Sequence, residues 1–523
     1  CGGKSTMKKL QRFGVFMLCG ALALSFVACG PEGGGGVTSD STPIEQVDDS
    51  DRSGWVPFAK KTFEEGTELR IKYFKGGYGD EWLKAMEEKF EKDYPGVDVI
   101  LIPSSNETDF TQTISTTLNT SPDDIYICHN IPYERLSVKN LVMNLDSLYN
   151  SVIYTDTKNT ETTDDDTPVR FVDRIAASSL NMVRFNGHYV AIPEIQGAGG
   201  IAYNKTLFDA NGWEIPETYE ELVALAKTIS EGNFKNADGE KVYPFVWSGT
   251  TAYMWDSFVY DMWVQIAGID EFNTFMKYES KDLFDSSKYP ALKQAWTYWY
   301  DLVCVNQEYS HPQSLGLDHL QANTAFAAGQ AAMMPASCWT ANEIGADLLE
   351  AFGTDVGLIP TPFVKEAKKD EDGNPIRVAY DMAGKDCMII AQKGKNKQVA
   401  VEFFKWMALE ENARLFPENT NGLHLAIKYD FEYLKEHETT TWAKDTVNLL
   451  SSSTRFNLYS SSPLVYNAGT PLSPYPEGNM YLEAFEEYGD PENAKTPDGV
   501  FASRWEKINA EWDTMCAAVG ITP

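Results

Sequence analysis

A pattern of strands and helices near residue 70 constrains the fold of this chain more than any other feature. Residues 68–74 (ELRIKYF) alternate apolar and polar side chains, and 97–102 (VDVILI) form an apolar run typical of strands buried on both faces of a parallel sheet. The segment between them has apolar residues at four-residue spacing, which predicts an amphipathic helix over 81–94. A similar strand follows at 123–128 (DDIYIC). The order β-loop-α-β predicts an α/β fold with a largely parallel sheet.

The length of the chain indicates how many lobes it forms, and its net charge indicates which ligands and partners it can bind. At 523 residues, 43% of them hydrophobic and 13% aromatic, the chain can bury a large core and is expected to form two or more lobes. The formal net charge is −32, so the phosphates of a nucleic acid would be repelled over most of the surface. We therefore expect no nucleic-acid partner, and a neutral ligand rather than a strongly anionic one.

Residues 7–29 (MKKLQRFGVFMLCGALALSFVAC) have the order of an export signal. Basic residues precede an apolar run at 13–27, which is shorter than the ~20 residues of a membrane-spanning helix. The end of the segment resembles a bacterial lipobox, in which the sulfur of Cys29 would receive a lipid. Phe26 stands where such boxes usually carry Leu, so ordinary cleavage near Ala28 remains an alternative, as does an uncleaved anchor. All three place the body on the extracytoplasmic face of a bacterial membrane.

We expect no folded structure in the two segments on either side of this signal, residues 1–6 and 30–66. Residues 1–6 (CGGKST) lack the first glycine, the strand and the helix of a phosphate-binding loop, and we interpret them as an upstream extension of the gene model. Residues 30–66 are rich in Gly, Ser, Thr, Pro and Asp without apolar periodicity, which predicts a flexible tether.

Cysteine and acidic residues give no indication of a metal or a cofactor. Five of the eight cysteines remain after the leader and Cys29 are set aside, and no CxxC pair or Cys/His cluster occurs. We expect buried free thiols. The run Asp164–Asp166 lacks the Gly and Glu of a calcium loop and is expected to be a solvated loop. The sequence therefore predicts neither a metal site nor a cofactor.

Five motifs occur in a fixed order between residues 187 and 406. They are G-x-Y-x-x-P from Gly187, Y-N-K-x-x-F from Tyr203, G-x-x-x-P-x-T-x-x-E-L from Gly212, F-x-x-G-x-A-A-M from Phe326 and K-N-K-x-x-A-x-x-F-x-x-W from Lys395. The third includes Thr218-x-x-Glu221, a capping box that predicts the start of a helix. Together the five resemble the extracellular solute-binding proteins, family 1, of carbohydrate ABC importers.

This resemblance implies a two-lobe periplasmic-binding-protein-like fold of type II. Its lobes would be joined by hinge-crossing strands, the first at 190–193 and the second near 333–339. The first lobe would comprise 67–190 and 340–397, and the second 191–339 and 398–523. It also implies a lipid-anchored, monomeric protein without catalytic residues, which captures a sugar or oligosaccharide by hinge closure and delivers it to ABC permease subunits.

Ligands of open parallel sheets bind beyond the carboxyl ends of the strands. In the first lobe this rule selects polar and aromatic residues after three predicted strands: Tyr78, Asp80, Asn106, His129 and Asn130. Sugars need both hydrogen-bonding groups and aromatic faces, and these residues supply them. Structural alternatives remain open. Asp80 could serve as the cap of the following helix without contacting a ligand, and His129 could likewise cap the helix that follows it.

Five further ligand-binding candidates come from the hinge, from the second lobe and, for Asp386, from the late segment of the first lobe. They are Glu194 (or Gln196), Trp255, Asp256, Trp339 and Asp386. The resemblance makes Trp339 the strongest of them, since relatives that bind oligosaccharides often carry a stacking Trp at that place.

Two other functions fit parts of the sequence. An exported, acidic and aromatic-rich chain could be a glycoside hydrolase with two catalytic carboxylates, but any of the 76 acidic residues could form such a pair by chance. A surface adhesion lipoprotein would share the leader and the tether. Neither alternative explains the ordered motifs, so solute binding is the predicted function.

Overall fold

The computed structural model describes residues 61–155, 167–381, 386–457, 462, 464, 479–485, 495–518 and 522. The predicted leader with Cys29, the tether before residue 61 and the Asp164–Asp166 loop lie outside the described residues. Within the part that is described, no helix combines the length and the apolar character that crossing a membrane requires.

The first sheet has five strands, and its order follows from two kinds of pairing. Thr67–Phe74 lies in parallel between Val97–Ser104 and Ile125–Cys128, as the β-loop-α-β pattern predicts. Cys387–Ile390, from much later in the chain, runs antiparallel to Ile125–Cys128, and Ile192–Pro193 closes the far edge. The sheet is therefore mixed, with one late strand inserted.

Helices cover this sheet through apolar stripes. Trp82, Met86 and Phe90 are buried on the helix Glu81–Asp93, which confirms the predicted helix. The Phe90 ring packs against Phe403 with a centroid distance of 5.1 Å. The α-helices of this part are Glu81–Asp93, Glu107–Thr120, Tyr133–Val138, Asp146–Tyr149, Phe171–Arg174, Lys397–Met407, Glu410–Ala413, Leu415–Glu418 and Phe431–His437.

The second sheet has four strands. Ala331–Ala336 pairs in parallel with Tyr243–Phe245 and antiparallel with Gly200–Asn204, which in turn pairs antiparallel with Val356–Ile359. Four two-stranded pairs complete the β structure: Val152–Thr155 with Thr167–Arg170, Arg184–Phe185 with His188–Tyr189, Ile195–Gln196 with His424–Leu425, and Val378–Tyr380 with Thr454–Phe456.

The helices around the second sheet include the predicted capping box. Thr218 Oγ1 accepts from the Glu221 N–H at 3.3 Å, and the Thr218 N–H donates to the Glu221 carboxylate at 3.0 Å. The remaining α-helices are Lys205–Asn211, Tyr219–Glu231, Asp256–Ala267, Ile269–Met276, Pro290–Tyr300, His319–Ala327, Thr340–Ile344, Ala346–Phe352, Thr441–Ser452, Asn479–Leu482 and Pro497–Ala518. Short 3₁₀ turns occur at Ala177–Val183, Ala252–Trp255, Gln307–Tyr309 and Ser314–Gly316, and a π turn at Asp301–Val305.

The chain divides between the two sheets differently from the predicted ranges. The predicted first-lobe range 340–397 includes Val356–Ile359, which lies in the second sheet, whereas Cys387–Ile390 lies in the first. The helix Lys397–Met407, expected in the second lobe, packs in the core of the first sheet. After the crossing expected at 333–339, Cys338 packs in the core of the first sheet, but the next sheet strand, Val356–Ile359, belongs to the second sheet. The return of the chain to the first sheet is established by Cys387–Ile390. Apolar strands carry no local mark of the sheet they join, because distant pairing decides it.

The packing of Phe403 generates a stability prediction. Its side chain is fully buried between the first sheet and the helix Glu81–Asp93. Phe403→Ala should lower the free energy of unfolding by about 3–5 kcal/mol, since it removes apolar contacts and leaves a cavity. Urea unfolding followed by circular dichroism measures the change. Val138→Ala, at a side chain that is 73% exposed, is the matched control and should have little effect. Equal loss in both variants would contradict the described core.

Candidate functional site

A cavity of about 880 Å³ lies between residues that follow strands of the two sheets. From the first sheet come the loop after Thr67–Phe74, the residues after Ile125–Cys128, and Asp386 before Cys387–Ile390. From the second come the loop after Tyr243–Phe245 and the end of Ala331–Ala336. Its lining includes Phe74, Gly76, Gly77, Tyr78, Glu107, His129, Asn130, Trp247, Ser248, Thr250, Thr251, Tyr253, Met254, His319, Leu320, Asn323, Ser337, Trp339, Glu343, Tyr380 and Asp386.

Two glycines let the first loop approach its neighbours closely. A Cβ on Gly77 would lie 2.9 Å from Cγ of Glu343, and one on Gly76 would lie 3.3 Å from the Tyr78 ring. The loop therefore depends on missing side chains for close contact at these two positions. This contact brings Tyr78 to the cavity wall.

His129 and Asp386 form a hydrogen-bonded ion pair on this wall, between Nδ1 and Oδ1. Burial disfavours the charged imidazolium, but the attraction of Asp386 and the hydrogen bond to it outweigh burial and raise the pKa of His129 to about 9. The imidazole is thus charged at neutral pH. The rings of Phe74, Tyr78 and Trp339 surround it at centroid distances of 5.4, 6.4 and 6.4 Å.

Glu194 lies behind the wall and positions Tyr78. The Tyr78 hydroxyl donates to Glu194 Oε1 at 2.7 Å, and both side chains are buried. Burial and the repulsion of Asp386 raise the pKa of Glu194, against the opposing effects of His129 and Tyr78. Burial also raises the pKa of the Tyr78 hydroxyl well above its usual value, and the negative charge of Glu194 raises it further. Tyr78 is therefore a neutral donor with a fixed orientation.

Some of the buried polar atoms without a partner belong to residues that line the cavity. Thr251 Oγ1, Ser337 Oγ, Trp339 Nε1 and Asp386 Oδ2 are buried and have no hydrogen-bond partner among the residues that the structure describes. Buried polar groups in folded proteins are nearly always paired, so such exceptions need an explanation. Here donors, acceptors and hydroxyls belong to residues that line one cavity together with aromatic side chains. This combination suits a polar ligand with apolar faces.

Five of the ten predicted ligand-binding residues line the cavity: Tyr78, His129, Asn130, Trp339 and Asp386. Asn130 has a left-handed backbone (φ 53°), and its amide donates to Glu107 Oε1 at 3.0 Å. Glu194 acts through Tyr78. The structure thus brings six of the ten residues together.

The other four predicted residues lie outside the cavity lining, each for a local reason. Asp80 accepts a 2.6 Å hydrogen bond from the Tyr73 hydroxyl and pairs with Lys75 and Lys84. Asp80 occupies the N-cap position of the helix Glu81–Asp93, but its carboxylate makes no cap hydrogen bond, so the capping alternative holds for its position and not for its side chain.

Asn106 instead serves as a helix cap, since its Oδ1 accepts from the Asp109 N–H at 2.9 Å. Trp255 is fully buried between Phe245 and Phe258. Asp256 is buried and accepts a 2.6 Å hydrogen bond from the Tyr481 hydroxyl, and burial raises its pKa to about 7. These three side chains hold helices and core together.

Several lining residues were not predicted, and the strand-end rule could have found some of them. Trp247, Ser248, Thr251 and Tyr253 follow the strand Tyr243–Phe245 at its carboxyl end. That strand is only three residues long, too short to stand out from the sequence. Among the described residues, no group of three or more His, Cys, Asp or Glu side chains could hold a metal ion.

Comparison with known proteins identifies the class. The family model described as bacterial extracellular solute-binding protein matches residues 76–414, more than half of the chain. The chain therefore belongs to the bacterial extracellular solute-binding protein family. Its two-lobe α/β fold is of the periplasmic-binding-protein-like type II, as predicted.

A multiple sugar-binding protein of Streptococcus mutans is 23% identical over 263 residues, which are 49% of this chain and 56% of that protein. The chain thus matches little more than half the length of this relative. Among solved structures, RafE from Streptococcus pneumoniae has a TM-score of 0.57 at 17% identity, covering 87% of this chain and all of that one. Maltose-bound MalE3 of T. maritima has a TM-score of 0.56 at 19% identity, covering 84% and 99%.

The His129–Asp386 pair predicts a pH-dependent stability. The folded-state pKa of His129 is about 9, above the unfolded value of about 6.5, so the pair stabilises the fold fully below pH 6.5 and loses this effect as the pH rises through 9. His129→Gln should cost on the order of 3 kcal/mol at about pH 6 and much less near pH 10. Urea unfolding at both pH values measures this. The exposed His437→Gln is the control, and a pH-independent cost at His129 would refute the pairing.

Proposed function

We propose that this protein captures a sugar or oligosaccharide in the cavity between its two sheets and delivers it to the permease subunits of an ABC importer. The observation that carries the proposal is the set of unpartnered polar atoms, Thr251 Oγ1, Ser337 Oγ, Trp339 Nε1 and Asp386 Oδ2, on a wall with aromatic rings. Sugar hydroxyls donate and accept together, and the C–H faces of a sugar stack on rings. The multiple sugar-binding protein and the maltose-bound MalE3 point to the same ligand class.

We expect hinge closure because the residues that line the cavity are attached to two different sheets. Tyr78 and His129 are attached to the first sheet, whereas Trp247 and Ser337 follow strands of the second. A ligand that touches both sets stabilises the arrangement in which they are close, and its differential affinity for that arrangement drives closure. We expect the protein to act as a monomer, without a cofactor.

The mechanism is capture without bond cleavage. A glycoside hydrolase would need one carboxyl group to donate a proton and a second to act on the sugar. On the cavity wall, Asp386 is paired with His129, and Glu107 accepts a hydrogen bond from Asn130. Behind the wall, Glu194 is held by Tyr78. These three carboxylates thus serve to orient binding groups. Neutral sugar recovered unchanged after incubation is the expected chemical outcome.

Sugar binding predicts a specific effect of Trp339. Trp339→Ala should weaken the affinity for the best ligand of an oligosaccharide panel by roughly tenfold or more, because it removes a stacking face and an indole donor. Isothermal titration calorimetry measures the change. Trp505→Ala, on a side chain that is 37% exposed in the helix Pro497–Ala518, is the matched control and should bind normally. No saturable heat with any member of a broad panel would reject the proposed function.

A lipid on Cys29 would keep this receptor near its permease, and this part of the proposal rests on the lipobox-like segment alone. Cys29→Ser should move the protein from the membrane fraction to the soluble fraction of the producing cells. Ligand affinity of the purified protein should not change, while sugar uptake by the cells should fall. Cys304→Ser is the control for thiol loss in the folded body. Unchanged membrane association of Cys29→Ser would exclude lipidation as the anchor.

A further inference from the structure

The cavity carries more carboxylates than cations. Its lining has three acidic residues, Glu107, Glu343 and Asp386, and two imidazoles, those of His129 and His319. Among the described residues of this lining there is no Lys or Arg. Asp386 is balanced by His129, which leaves the acidic side chains of Glu107 and Glu343 in excess, and burial raises the pKa of Glu343. The local field therefore repels anionic ligands and attracts positive ones.

Behind the cavity wall, too, the buried carboxyl groups outnumber the cations among the described residues. Glu194 is 1% exposed and Asp386 is 5% exposed, and the Glu194 N–H donates to the Asp386 carbonyl at 2.9 Å. Among the residues that the structure describes, these two buried carboxyl groups share one cationic neighbour, the imidazolium of His129. Buried charges are stable only when they are paired. Burial and the repulsion of Asp386 raise the pKa of Glu194, and a cation bound next to Asp386 would oppose this repulsion.

Each of the two carboxyl groups also has one oxygen without a donor. Oδ2 of Asp386 and Oε2 of Glu194 have no hydrogen-bond partner in the described part of the chain, while their other oxygens accept from His129 and Tyr78. The Asp386 side chain is 6% exposed and belongs to the cavity lining. A donor supplied by the ligand would satisfy it.

A ligand ammonium fits this place better than a hydroxyl. A hydroxyl offers one proton and no charge, whereas an ammonium offers three protons and a full positive charge. It would thus supply both the donor and the second cation. Nearby aromatic faces, such as those of Tyr78 and Trp339, favour a cation for the same electrostatic reason.

We propose that the cavity takes a saccharide with a free amino group, whose ammonium binds beside Asp386, with the carboxyl group of Glu194 behind it. The inference rests on the proposed sugar-binding function and makes it more specific. A neutral saccharide of the same shape is a weaker ligand, and a sugar acid or a sugar phosphate is excluded.

Matched oligosaccharides test the inference on the complete folded body. The probes are glucosamine oligomers, the same oligomers with every amine acetylated, and glucose oligomers of equal length and linkage. Titration calorimetry at a mildly acidic pH, at which the sugar amine is protonated, gives three dissociation constants. We expect the free-amine oligomer to bind at least about tenfold more tightly than the other two. Its affinity should also fall more steeply with added salt.

Two isosteric variants locate the ammonium. Glu194→Gln and Asp386→Asn keep the shapes of the side chains and remove their charges, so each should reduce the preference for the free amine. Thermal unfolding establishes that both variants are folded. Glu220→Gln, at an exposed carboxylate on the helix Tyr219–Glu231, is the control and should keep the preference.

The outcomes separate this inference from the proposed function. Neutral oligomers that bind as tightly as the free-amine oligomer would overturn the inference and leave sugar binding intact. Absence of binding by all three probes and by the broader oligosaccharide panel would overturn both. A preference that persists in both charge-removing variants would also overturn the inference, since the ammonium would then lie elsewhere. If a variant fails to fold, the wild-type preference and its salt dependence still decide the question.

Discussion

The antiparallel pairing of Cys387–Ile390 with Ile125–Cys128 is the contact on which the rest of the structure depends. It inserts a late strand into a sheet that otherwise consists of early strands, so the chain must pass from the second sheet back to the first. All four residues of the late strand are buried. Burial of the apolar side chains on both faces of this strand removes them from water. The resulting stabilisation offsets the entropy cost of bringing together two strands that lie far apart in the sequence.

The same pairing builds the centre of the cavity. Cys387 lies opposite Cys128, so the next residues outward, Asp386 and His129, are brought side by side at the edge of the sheet. The carboxylate then holds the imidazole in its charged form, inside a ring of aromatic side chains. A site assembled from two strands of one sheet is rigid on that side. Motion on ligand binding is therefore expected between the two sheets rather than within the first.

Local elements could be predicted from the sequence, whereas their assignment to lobes could not. The helix around Trp82 and Phe90 and the capping box at Thr218 depend on residues within a few positions of each other, and both occur as predicted. The assignment of Val356–Ile359 to a sheet depends on pairing with Gly200–Asn204, about 150 positions away along the chain. An apolar strand fits either sheet, and only the assembled fold decides between them.

The candidate site shows the same division at the level of side chains. Of the five residues that the strand-end rule selected, Tyr78, His129 and Asn130 line the cavity, because strand ends fix where the backbone goes, whereas Asp80 and Asn106 do not. The rule could not fix where Trp255 and Asp256 point, because both face a core that Tyr481 completes. Tyr481 lies more than 200 positions later in the chain, and its hydroxyl donates a hydrogen bond to the Asp256 carboxylate. A polar residue after a strand is thus a binding candidate only if no residue from elsewhere in the chain supplies its hydrogen-bond partner.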